Sequence, residues 1–137
     1  MLKPLAFSLL TLAATGASAA SFETCPSEAF LVQSKPAKLY GVDLSTGSYQ
    51  SLTNDMGTTD KINALAFNFH DNFVYGWGYY DDAIVKIGTD YQIEPIEVIN
   101  KPNSDFYIGD ISLQENAYYI FRRGSKAHHG LWRISLD

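Results

Sequence analysis

The densest run of chemically capable side chains in this sequence is aromatic. Tyr75-Gly76-Trp77-Gly78-Tyr79-Tyr80 places rings at alternate positions. On a strand, Tyr75, Trp77 and Tyr79 share one face. Flat rings stack on sugar rings, and the intervening glycines let a ligand reach the backbone. The same spacing also suits packing, in which large rings fill a gap between sheets and glycines admit the neighbour. Arg122 and Arg123, with Lys126, make a small basic loop, and Asp81-Asp82 make an acidic one. If the two loops share a rim, the arginines suit an anionic ligand, whereas a solvent-screened pairing between the loops contributes little.

The remaining candidates do not assemble into a reaction centre. His128 and His129 are adjacent, so on a strand they point to opposite faces and do not chelate one metal together. His70-Asp71 reads as a turn pair, and no metal-ligand spacing links it to the other histidines. Asp55, Asp60, Asp81 and Asp82 sit in turns without the calcium-loop pattern. No nucleophile elbow, phosphate-binding glycine loop or zinc-protease helix motif occurs. Cys25, the single cysteine, lies beside Pro26 with no histidine near it in sequence, which argues against a catalytic thiol. The residues therefore indicate no metal, no cofactor and no catalytic set.

What must position these groups is a repeat. Leu39-Tyr40-Gly41-Val42-Asp43-Leu44, Ile84-Val85-Lys86-Ile87-Gly88-Thr89 and Leu131-Trp132-Arg133-Ile134-Ser135-Leu136 align, with apolar second and fourth positions in each. The strand before them aligns as Ala29–Gln33, Phe73–Trp77 and Ala117–Phe121, both steps being 44 residues. One strand earlier, Ile62–Phe67 aligns with Ile108–Leu113. The complete copy reads as strands over 62–67, 72–78, 83–88 and 91–98, punctuated by turn residues. Four short antiparallel strands repeating every 40–50 residues is the period of a propeller blade. The expected fold is all-β, with β-propeller-like four-stranded antiparallel blades, about two and a half of them. An ordinary β-sandwich is the competing architecture.

The ends carry their own signals. Lys3 precedes an apolar run from Leu5 to Ala14, and Ala17-Ser18-Ala19 follows. That order is a secretory signal peptide over 1–19, with cleavage after Ala19 or Ala20. The run is too short to span a bilayer. Residues 20–137 form one propeller-like domain, and the location is secreted or periplasmic. Fifteen acidic against 10 basic residues give a net charge of −5. Bulk electrostatics therefore exclude nucleic acid as a partner. In an oxidising compartment Cys25 is a buried thiol, an intermolecular link, or half of a bridge whose partner lies elsewhere.

The first copy begins at its second strand and the last stops where its fourth should start. Closed propellers have at least four blades. Either the chain is the N-terminal piece of a longer protein, which is the preferred reading, or it completes a ring by self-association, or it is not a propeller.

Phe22-Glu23-Thr24-Cys25, Ala29–Gln33 and the strand and turn Leu39-Tyr40-Gly41-Val42-Asp43-Leu44-Ser45-Thr46-Gly47 resemble the start of a family of secreted, propeller-like domains of unknown function, found in bacterial and fungal exported proteins. Asn63–Phe67 and Asp71–Gly76 fit the same pattern. The resemblance implies a propeller-like fold, a longer chain, and no activity or catalytic residue to carry over. The expected function is binding or scaffolding, with a protein or carbohydrate ligand. A propeller-fold hydrolase or lyase is the alternative, for which Asp110 is the one inner-strand carboxylate. A non-functional truncated fragment is the third reading.

Overall fold

A computed structural model describes residues 19–100, 105–122 and 130–137. Ten strands run in chain order: β1 (Ala29–Gln33), β2 (Lys38–Val42), β3 (Tyr49–Thr53), β4 (Ile62–Asn68), β5 (Phe73–Gly78), β6 (Ala83–Ile87), β7 (Ile93–Ile96), β8 (Ile108–Ile111), β9 (Ala117–Arg122) and β10 (Gly130–Ser135). They form three antiparallel sheets, β1-β2-β3, β4-β5-β6-β7 and β8-β9-β10, each a sequential meander. The described residues contain no helix, and the sheets do not close into a barrel. The fold is all-β with blade-like sheets. The complete middle sheet matches the four strands expected over 62–98.

Each strand forms for a local reason. β6 reads Ala-Ile-Val-Lys-Ile, β-branched and apolar enough to bury both faces of a central sheet. β5 is buried on both faces from Val74 onward. There Gly76 makes room for β4: a Cβ on it would lie 2.9 Å from the Ile62 side chain. Turns are closed by short side chains. Asp43 accepts the Ser45 and Thr46 amides at 2.8 and 3.2 Å, and Asp90 accepts Gln92 N–H at 3.1 Å.

The core lies in two seams between sheets. In the first, Leu39, Ile62, Val74, Val85 and Ile87 pack with Phe22 and with Met56 from the β3–β4 loop. In the second, Tyr75, Trp77 and Ile84 of the middle sheet meet Phe106, Tyr118 and Ile120. Burying each such side chain contributes about 1.5–3 kcal/mol. The inner strands β4 and β8 run beside each other across the second seam. A bulge helps join them. The β4–β5 register shifts between Asn63 and Ala66, and Ala64 takes a positive φ of 57°. This turns the Ala64 carbonyl toward the third sheet, where the Tyr118 hydroxyl donates to it. At the other end of the seam, Asn68 donates to Asn116 at 2.9 Å.

The register corrects two alignments: Ile108 pairs with Phe121 as Asn63 pairs with Trp77, so β8 follows β4 by 45 residues at its start and not by the expected 46. Val32 pairs with Leu39 as Trp77 pairs with Ile84, so β1 and β5 are 45 residues apart, as β2 and β6 are. The expected step of 44 would put Leu31 and Gln33 in the first seam. Phe30 and Val32 occupy it instead, and Leu31 faces outward. A slip of one residue exchanges the faces of a strand.

Candidate functional site

The middle sheet positions the aromatic run as its spacing predicts, on one face, and that face is the second seam. Tyr75 and Trp77 are buried there, with the Trp77 ring edge-on to Phe106 at 4.9 Å. They present no ring to a ligand, and their environment is that of inter-sheet packing. Trp77 Nε1 has no hydrogen-bond partner among the described residues. Tyr75 donates to Asp71 at 2.5 Å, and burial followed by this carboxylate pushes its phenol well above the usual value.

Tyr79, the third ring on that face, packs half-buried against the edge of the seam at one rim. Its hydroxyl donates to the Phe106 carbonyl at 3.0 Å and accepts from Asn63 Nδ2 at 3.0 Å. The Lys61 ammonium lies 4.4 Å from its ring centroid. Desolvation raises the Tyr79 pKa, so the phenol stays neutral. Beside it, Lys35 of the β1–β2 loop pairs with Asp60 of the β3–β4 loop at 2.7 Å. That hydrogen bond is the main cause of the lowered Asp60 pKa. The Asp60 carbonyl also accepts the Ala37 amide at 2.9 Å. Loops from all three sheets are thereby tied into one rim, on which Tyr80 and Tyr107 are exposed.

The other candidates fall apart in space or lie outside the described residues. Arg122 closes β9, half-buried, and its Nε is enclosed by protein. Arg123, Lys126, His128 and His129 lie outside the described residues. His70 is exposed, with Nε2 3.3 Å from the Ser112 carbonyl. Asp110 is exposed on the outward face of β8, where it accepts the Ile111 amide at 2.9 Å. Among the described residues, no three of histidine, cysteine, aspartate and glutamate converge to hold a metal.

Sequence reasoning missed a cleft. Cys25, Glu28 and Phe30 face Leu65, Ala66 and Phe67 of β4 across a space of about 180 Å³. It lies at the inner edge of β1, where the first sheet has no counterpart of β4. Cys25 is exposed, so the buried-thiol reading is withdrawn. Nothing in the local sequence marks this cleft. It arises because two strands distant in sequence are left unbridged.

A family model described as a repeat of unknown function, DUF6923, matches residues 30–137. The chain belongs to the DUF6923 family. The match begins inside β1 and spans all three sheets. No curated protein and no solved structure matches the chain. The DUF6923 name carries no activity, and the function has to be argued from the rim and the faces of the sheets.

Proposed function

We propose that this DUF6923 protein is an exported, propeller-type recognition module that binds carbohydrate at the Tyr79 rim. One observation carries the reading: three loops from different sheets are locked together by Lys35–Asp60, by Lys61 over Tyr79, and by Tyr79 with Asn63 and Phe106. A rim fixed in advance loses little entropy on binding. Exposed Tyr80 and Tyr107 supply flat surfaces for sugar rings, and the carboxylates of Asp81, Asp82 and Asp105 supply acceptors for hydroxyls.

Export follows from the leader read in the first 19 residues. Expression with the leader and mass measurement of the released protein tests it: a chain beginning at Ala20 or Ser21 is expected, and an intact Met1 in the cytoplasm overturns it. A glycan array tests recognition. Binding by the wild type that Tyr80→Ala weakens at least about tenfold is the expected result. No glycan bound by the wild type retires the carbohydrate reading.

A further inference from the structure

The two seams are built in the same sense. In each, the forward face of one sheet meets the backward face of the next. The forward face carries Phe30, Val32 and Leu39 in the first sheet and Tyr75, Trp77 and Ile84 in the second. The backward face carries Val74, Val85 and Ile87 in the second sheet and Tyr118, Ile120 and Ile134 in the third. Among the described residues, each terminal sheet has one such face that no other sheet covers. On the third sheet, Phe121 pairs with both Ile108 and Leu131, at the positions of Trp77 and its neighbours, and forms an apolar row. Ile108 and Leu131 are 61% and 68% exposed. On the first sheet, Leu31, Tyr40 and Tyr49 form the backward face around a concavity of about 340 Å³, with Leu31 41% and Tyr49 73% exposed. One end of the chain thus displays the half-seam that the other end lacks.

We propose that the forward face of β8-β9-β10 docks on the backward face of β1-β2-β3 of a second copy of this chain, so that two copies close a ring of six sheets. The internal seams supply the template, since forward meets backward in both. Six sheets lie within the range of closed propellers, about four to eight. The backbone is compatible too. The β8–β9 register is continuous, so no bulged carbonyl needs a hydroxyl from the incoming sheet, and Ala29 suffices at the position that Tyr118 holds in the third sheet. Area favours closure over a single contact. A three-stranded face of five-residue strands covers about 250 Å². One contact therefore buries about 500 Å², whereas the two contacts of a closed pair bury about 1,000 Å², the lower bound for a specific interface. The arrangement is head to tail, with each copy contributing different faces to the two contacts.

Light scattering on the purified, processed protein at micromolar concentration tests the proposal. The expected mass is that of two chains. Leu131→Glu and Leu31→Glu each spoil both contacts of a homodimer, and each should weaken association at least about tenfold. A mixture of the two variants retains one intact contact and associates more than either variant alone. Ile108→Glu, on the same face as Leu131, replaces Leu131→Glu if circular dichroism shows the latter unfolded. A wild-type monomer overturns the proposal. So does a two-chain mass that survives both variants, or a mixture that associates no better than its components.

Discussion

Replacing Gly109 by alanine tests how closely the inner strands approach. A Cβ built on Gly109 would lie 2.2 Å from the Ala64 carbonyl oxygen and 2.8 Å from the Tyr118 ring. An ordinary carbon–oxygen contact is about 1 Å longer, so β8 must retreat from β4 by that amount or both strands must bend. The obstacle is backbone, which cannot rotate aside. Overpacking of this kind costs about 3 kcal/mol. Gly47→Ala is the comparison. Gly47 has a φ of 74° and nothing within 4 Å of its would-be Cβ, so alanine there meets only backbone strain, about 1 kcal/mol. Urea unfolding followed by circular dichroism, at one protein concentration, reads both. The expected order is wild type, Gly47→Ala, Gly109→Ala, with the urea midpoint of Gly109→Ala about 1.5 M below that of wild type. If Gly109→Ala is as stable as Gly47→Ala, the inner strands do not approach this closely, and the geometry of the second seam is wrong.

Phe22→Ala removes a buried ring that touches Phe30, Phe67 and Tyr91 at centroid distances of 5.8–6.4 Å, and should cost about 3 kcal/mol in the same urea assay. Stability should also follow pH in two windows. Burial holds the Tyr118 phenol above its usual value, and burial with the Asp71 bond does the same for Tyr75. Folding therefore favours their neutral forms, and this stabilisation is complete below about pH 10 and fades as pH rises beyond it. Their ultraviolet ionisation signal should appear only together with unfolding. At the acid end, hydrogen bonds from Lys35 to Asp60 and from Arg133 to Glu115 lower both carboxyl values. Their contribution is present above about pH 4 and is lost as pH falls through the lowered values, so acid unfolding should shift to higher pH in Asp60→Asn.

The strand plan was legible because alternation and turn residues agreed. Asp81-Asp82 and Thr89-Asp90 bracket β6, and its Lys86 interrupts an otherwise apolar run at one position. The face assignment in β1 was not legible for the opposite reason. Ala-Phe-Leu-Val is apolar at every position, and only Gln33 at the strand's end marks the solvent side, so the repeat is easily aligned one residue out. The aromatic run shows a different limit. A ring row that binds a ligand and a ring row that fills a seam have the same spacing, and only the position of the third sheet separates them. Tyr79 sits only at the edge of the seam because β5 ends at Gly78, a boundary the sequence signals with Asp81-Asp82. Phe22 lies in no strand, and its burial depends on the first seam already being formed. The cleft at Cys25 likewise depends on which strands are neighbours, which local pattern does not encode.

The bulge at Ala64 has a consequence for assembly among look-alike parts. Repeated sheets risk docking in the wrong order, since their greasy surfaces are nearly interchangeable. The carbonyl turned out of the β4 ladder acts as an address. A correct neighbour must present a hydroxyl opposite it, and the positions corresponding to Tyr118 are Val74 in the second sheet and Ala29 in the first. Neither can answer, so either would strand a polar oxygen in the interior at a cost of about 1–3 kcal/mol. Discrimination against mispairing is thus written into a single oxygen atom, and the hydrophobic surfaces are left free to be generic.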